Sequence, residues 1–422
     1  MLLTDDEKQM LAGDEGPAVQ KAMDLLVRYG EALGAERLID TSNVCGANVF
    51  TPRQGAMGGD SADASFSRLS LDSDEVVEMP RVKVFSCQLI GPMDREEWTT
   101  QGIAEDAHEA IVESMDYNAR HGVHLMNTCT PYQVGNVPVK GEHCAWMESS
   151  AVIYINSVLG ARSNVEGRES TASAMLTGKI PYWGYHLDEN RFGTHLVEVE
   201  VDVESSMDWG MLGYFIGEQI GDKVPVFDGI RRRPDLLRLK HFGAAASSSG
   251  GVELYHVPGA TAEARTVAEA FGPKTPVATI KYGEAERRTT YEQLNCTASD
   301  RDVDFVMLGC PHAGIEQIRE ICNLIEGKHV SSPLWVFTPS PIRALAVQNG
   351  YVKILEDAGA KLMSDTCPAI GQFLPKGTKV IATDSAKQVH YLPAIMKVQG
   401  WFGDTRECVD AALTGRWSGG LQ

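Results

Sequence analysis

The chain has 422 residues, and its 57 acidic against 38 basic side chains give a formal charge of −19. Hydrophobic content of 43% with 23% charged residues is ordinary for a globular protein, and the length suggests two or three domains. So acidic a surface repels phosphate backbones and anionic leaflets, no apolar run reaches the ~18 residues of a bilayer span, and the start carries no export signal. This excludes nucleic-acid and membrane partners and predicts a soluble, cytoplasmic protein.

Thr4-Asp-Asp-Glu7 reads as a capping box opening a helix. A second helix is expected near 16–34, where Val19, Ala22, Met23, Leu25, Leu26 and Tyr29 recur at three- and four-residue spacing. The Gly-, Ser- and Asp-rich stretch 52–75 reads as an irregular loop. Then come a strand over Arg81–Ile90, a helix over 103–120, a strand over Gly122–Asn127 and a long helix over 142–159. His195–Val203 alternates like a strand, and 207–221 reads as a Gly-containing buried helix. The small-residue run Gly243–Gly251 reads as a tight helical turn rather than a linker, and polar 273–302 as a soft boundary. Beyond it, short apolar strands at 302–308, 334–338, 360–363 and 379–383 alternate with helices at 313–326, 340–349 and 384–398. That alternation is the pattern of a parallel α/β sheet with crossover helices, which binds ligands outside the carboxyl ends of its strands. The expected units are an N-terminal helical segment and loop over 1–75, an α/β domain over 76–300, and a second α/β domain over 301–422.

Nine cysteines are spread along the chain without a Cys-x-x-Cys pair, which argues against a disulfide scaffold and against a local zinc or ferredoxin motif. Three share one context. Cys129, Cys310 and Cys367 each sit just beyond an expected strand and at, or one residue short of, a proline. If those segments are neighbours, three thiolates converge in one crevice, a donor set that suits an iron–sulfur cluster with one iron left open. The alternative for any single cysteine is a small buried hydrophobe, and Cys45, Cys87, Cys144, Cys296, Cys322 and Cys408 are assigned to that class.

The segments around these cysteines resemble the aconitase X branch of the aconitase superfamily, specifically its large catalytic subunit. The resemblance is carried by Thr128–Tyr132, Gly141–Ser150, Asn156–Asn164, Tyr185–Arg191, Gly309–His312 and Asp365–Pro368, and it spans nearly the whole chain. It implies an aconitase-like core of parallel or mixed sheets lacking the small swivel domain, and a dehydratase that removes water from a small hydroxy acid. It also implies an iron–sulfur centre held by Cys129, Cys310 and Cys367, of 2Fe-2S, 3Fe-4S or 4Fe-4S type. The partner it implies is a small swivel-domain subunit that forms a heterodimer and supplies a catalytic serine. Two substrates are associated with the family: cis-3-hydroxy-L-proline in bacterial single-chain members and mevalonate 5-phosphate in archaeal two-subunit members. The chain departs from the family at Asn164–Ser170, Asn43–Ala47 and after Cys367. These departures and the acidic composition lean to the hydroxyproline, the two-subunit layout leans to the phosphate, and another hydroxy acid is a third alternative. The hydroxyproline is the favoured substrate.

Eliminating water requires a base for a carbon-bound proton and an acid for the hydroxyl. Glu148, His143 and Ser149 are the catalytic candidates, a buried Glu148 otherwise requiring a partner such as His186 or Arg191. Arg162 and Arg168 suit a carboxylate or phosphate, with Asn164, His186 and Ser150 beside them as substrate-binding candidates. His312 is placed to support the cluster, and Ser385 and Lys387 open a helix that could face an anion. Competing readings are a metal-free binding or regulatory α/β subunit, an electron-transfer protein, which would use four protein ligands, and a zinc hydrolase, for which no His-Glu-x-x-His is present.

Overall fold

The computed structural model describes residues 1–47 and 61–421. Its N-terminal helices Asp5–Ala12 and Pro17–Ala32 form where the capping box and apolar spacing place them, with Thr4 Oγ1 accepting from the Glu7 amide. Val19, Ala22, Met23 and Leu26 are buried against Phe66, Met175 and Ile180.

The first part of the chain holds strands β1 (Leu38–Asp40), β2 (Asn43–Ala47), β3 (Phe85–Gln88), β4 (Cys144–Trp146) and β5 (Lys179–Pro181). β1 and β5 make an antiparallel pair, and β2 lies between β3 and β4 in a parallel sheet. The middle part contributes the parallel strands β6 (His195–Val199), β7 (Pro225–Asp228) and β8 (Ala278–Tyr282), with β6 central. The last part carries β9 (Phe305–Leu308), β10 (Leu334–Thr338), β11 (Lys361–Ser364), β12 (Val380–Thr383) and β13 (Gln399–Phe402). These form one parallel sheet in the order β11-β10-β9-β12-β13. After β9 the chain winds outward through β10 and β11, then returns to the other side of β9 as β12. That reversal makes the carboxyl end of β9 a topological switch point, the place where such sheets open a crevice.

Several expectations are corrected. The part of the expected loop 52–75 at 52–60 lies outside the described residues, and 62–70 is helix, not loop. Ser61 caps that helix by accepting from the Ala64 amide, and Phe66 is fully buried on it. Serine-rich composition hid a helix whose serines bond back to the chain, as Ser67 Oγ does to Asp63 O at 2.7 Å. Gly122–Asn127 makes only a single bridge, His124 to Cys87. The expected helix 142–159 is a strand followed by a helix. Cys144–Trp146 pairs with Asn43–Cys45, and Trp146 Nε1 donates to Asn43 Oδ1 at 2.9 Å. Helix begins only at Ser149 and passes at Ile155 into a wide turn closed by left-handed Gly160. The edge of β2 captures these three residues, a tertiary pairing that overrides helical periodicity.

The small-residue run is helical, within Leu236–Ser249, and its composition reflects close packing. A Cβ on Gly213 would stand 2.4 Å from Phe242 O, and one on Gly217 would stand 2.6 Å from Ala246 O, so only glycines on the helix Ser206–Ile220 admit this approach. Polar 273–302 contains β8 and the helix Glu284–Leu294. Among the described residues no helix is long and apolar enough to cross a membrane.

Candidate active site

Two parallel sheets aim their carboxyl ends at one crevice. From the first come Leu89 and Ile90 after β3 and Met147 and Glu148 after β4; from the last comes the segment 370–378, and together they line a cavity of about 1130 Å³. The sheets are tied together there. Gly91 N–H donates to Asp365 O at 2.8 Å, and the buried carboxylate of Asp94 accepts from the Ser364 amide at 2.6 Å.

Cys129, Cys310 and Cys367 all lie in one buried apolar cluster with Phe305, Phe337 and Phe373 beneath them, exposed by 9%, 7% and 7%. Cys310 follows β9 at the switch point, immediately after Gly309, where φ is +91° and a Cβ would stand 2.2 Å from Phe337 O, so no side chain is admitted. Burial pushes all three thiols up, and the sulfurs of Cys129 and Cys367 each feel that of Cys310. Each sulfur also receives donors. The His312 amide points at Cys129 Sγ at 3.4 Å, the Ala369 and Ile370 amides at Cys367, and the Ser385 hydroxyl and Gln388 side chain at Cys310. Donors aimed at sulfur favour thiolate over thiol and offset part of the burial, so the three sulfurs could serve as ligands. Among the described residues no three His, Cys, Asp or Glu side chains are placed to close on one metal ion.

His312 fastens the three cysteine loops. Its Nε2 lies 3.0 Å from Thr366 O, beside Cys367, and its Nδ1 lies 2.9 Å from Thr128 Oγ1, beside Cys129. A carbonyl only accepts, so Nε2 carries the hydrogen and Nδ1 accepts from the threonine. Burial pulls its pKa down to about 4, keeping the ring neutral.

Glu148 caps the helix Ser149–Tyr154 and is held at the crevice. Lys387 Nζ donates to Oε1 at 2.6 Å and Ser150 Oγ donates to it at 2.9 Å. Burial raises the carboxyl, but the ammonium and hydroxyl outweigh it and hold the group below its usual range. The same pairing pushes Lys387 up, so both are charged at neutral pH. Lys387 also faces Cys310, and so links the carboxylate to the thiols. Arg168, at the start of the helix Arg168–Thr177, lines the cavity. Ser149 is half-buried next to Glu148.

The other candidates gather elsewhere. His143 lies at the opposite end of β4 from Glu148, with Nδ1 3.0 Å from His186 Nδ1. Arg162 Nη1 donates to His186 O at 2.8 Å, and its Nη2 pairs with Asp188. Asn164 Oδ1 accepts from the Tyr185 amide at 2.8 Å. Glu148 therefore pairs with neither His186 nor Arg191, whose guanidinium is bound to Glu263 at 2.8 Å. Two groups near the cysteines went unmarked in the sequence. The Tyr132 hydroxyl is buried without a partner among the described residues, within reach of the charges of Cys129 and Glu148. Lys240, an internal lysine of an apolar helix, is buried beneath His312.

Sequence profiles of the aconitase X first, second and third domains match residues 1–189, 193–292 and 303–414. The chain is 36% identical over 413 residues to the phosphomevalonate dehydratase large subunit of Methanocaldococcus jannaschii, covering 96% of this chain and 99% of that one. It is 33% identical over 423 residues to the cis-3-hydroxy-L-proline dehydratase of Pseudomonas aeruginosa, covering 98% of this chain and 70% of that one. The crystal structure of the holo-form of Thermococcus kodakaraensis aconitase X superposes with a TM-score of 0.85 at 32% identity, covering 98% of this chain and 100% of that one.

Proposed function

The chain belongs to the aconitase X family, and from that membership we propose that it is the large subunit of an iron–sulfur hydro-lyase dehydrating a small hydroxylated carboxylic acid. The observation that carries this reading is the placing of three buried, donor-supplied thiols beside the Glu148–Lys387 pair, whose carboxylate borders the cavity. Cys129, Cys310 and Cys367 would hold the cluster, which when bound supplies a Lewis acid for the departing hydroxyl.

The chain's own residues supply the rest. Glu148 is kept ionised by Lys387 and aligned by Ser150, so it can accept a carbon-bound proton from a substrate in the crevice. Arg168 on the cavity wall suits the substrate's anionic group. Leu89, Ile90 and Phe373 on the cavity wall would shield the reacting carbon on one side. The small partner subunit, bringing its serine, would complete the site from the open side.

Of the two named substrates, mevalonate 5-phosphate has the stronger support: relatives so named are matched at higher identity and over nearly their full length. The hydroxyproline favoured from the sequence stays as the second reading, since relatives of that name also match nearly the whole chain. The hydroxyproline reading keeps one specific support, the departure from the family pattern at Asn164–Ser170, a segment whose Arg168 lines the cavity and would meet either anionic group.

The test is iron and acid-labile sulfide per chain, on protein purified without oxygen, for the wild type and for Cys129→Ala, Cys310→Ala and Cys367→Ala. Iron and sulfide in the wild type and their loss from each variant are expected. A wild type that takes up neither after anaerobic reconstitution with the small subunit ends the reading. Turnover of each compound by the reconstituted pair decides the substrate, and consumption of the hydroxyproline with none of the phosphate would overturn the ranking.

A further inference from the structure

The helix Leu236–Ser249 runs beneath the cysteine loops, and its Lys240 is 4% exposed. A lysine so buried is uncommon unless something offsets the cost of its charge. Lys240 Nζ donates to His312 O at 2.9 Å and to Gln317 Oε1 at 2.6 Å, both uncharged acceptors. The anionic groups that act on it are Cys129, Asp384 and Cys310. Asp384 itself is buried, with Oδ2 accepting from Thr405 Oγ1 at 2.9 Å. Burial draws the ammonium down to about 8, against the pull of these three, which leaves it protonated at neutral pH.

We propose that Lys240 is a positioning residue for the cysteine centre: it fixes the His312 turn through the carbonyl and provides buried positive charge that raises the centre's reduction potential. This rests on the reading that the three cysteines hold an iron–sulfur cluster. Thiolates and sulfide make such a centre anionic, and adding an electron adds negative charge. A cation held in a low-dielectric interior favours the reduced state strongly, because little water screens it. Lys387, another cation near the thiols, is already paired with Glu148. Lys240 donates only to uncharged acceptors, and the buried carboxylate that acts on it, Asp384, does so without a direct bond. The same ammonium holds the carbonyl of the residue whose amide meets Cys129 and whose ring braces Thr128 and Thr366. One side chain from the middle part of the chain thus sets both the shape and the charge of a centre built by the other two.

The experiment uses the anaerobically reconstituted two-subunit protein as wild type, Lys240→Met and Lys240→Arg. Iron and sulfide are measured per chain, and the reduction potential by dithionite titration followed in absorption and paramagnetic spectra. The methionine variant is expected to be about tenfold harder to reduce, ~59 mV more negative for a one-electron couple, and arginine to restore the wild-type value. Loss of the cluster from methionine but not arginine would also support the proposal. An unchanged potential in Lys240→Met overturns it, as does equal loss of cluster from both variants. A wild type without iron and sulfide overturns the underlying reading instead. Should Lys240→Met fail to fold, Gln317→Glu places a carboxylate on the ammonium; a negative shift supports the proposal and an unchanged potential overturns it.

Discussion

The crevice at Glu148 and the cluster at His143 are separated by a single short strand, β4, and hold similar residue types. In the His143 cluster polar groups are spent on one another and on backbone. Arg162 holds His186 O and Asp188, and Arg191 holds Glu263, Tyr185 O, Asn156 O and Ala161 O. This is how a chain fixes an irregular segment: guanidinium groups satisfy carbonyls that no sheet reaches. In the crevice the donors converge on sulfur and on one carboxylate that borders open space. Residue type alone does not separate the two; which end of a parallel strand a residue occupies does.

The largest expected effect tests that distinction directly. Glu148→Gln keeps the shape but removes the proton acceptor, and should lower turnover of the reconstituted enzyme about 10²–10⁴-fold with iron content unchanged. His143→Gln should cost less than about tenfold, well under the range expected of a general base. Equal losses in side-by-side kinetics would erase the distinction between the regions. The next effect is on stability. Arg191 is nearly fully buried against Glu263, and Arg191→Met strands that carboxylate and three carbonyls. A loss of about 3–5 kcal/mol in urea unfolding is expected. A change under about 1 kcal/mol, the scale of an exposed ion pair, would show that the cluster does not hold the segment.

The same comparison explains what the sequence disclosed. Four of the five strands of the last sheet were legible because each is a short apolar run bounded by turn residues, whereas β13 was not expected. The three cysteines were legible because each follows an apolar run that reads as a strand. Lys387 stood out weakly, as a residue opening a helix after β12. β4 was not legible: Cys-Ala-Trp carries no alternation long enough to read, and only the edge of β2 makes it a strand. His143 and Glu148 were accordingly drawn onto one helix, when β4 sets them at opposite ends, more than about 10 Å apart at ~3.3 Å per residue. Lys240 gave no local signal, since a lysine in a helix is normally solvated and only the fold buries it.

The smallest effect to be read is that of pH, and it belongs to the His143 side. His186 is fully buried, and its Nε2 has no partner among the described residues. Burial, with His143 and two arginines nearby, lowers its pKa from 6.5 to about 3. Below pH 6.5 the unfolded chain binds a proton at this residue that the folded chain refuses. Its contribution is therefore intact above that pH and is lost as pH falls toward 3, by about 1.4 kcal/mol per pH unit well below 6.5. His186→Asn removes this term while keeping a polar side chain. The variant should be less stable than wild type at pH 7 and close the gap as the pH approaches 5, in urea unfolding at matched pH. Parallel curves would mean that the folded protein protonates the imidazole as readily as the unfolded chain does, and that Arg162 and Arg191 do not keep the ring neutral.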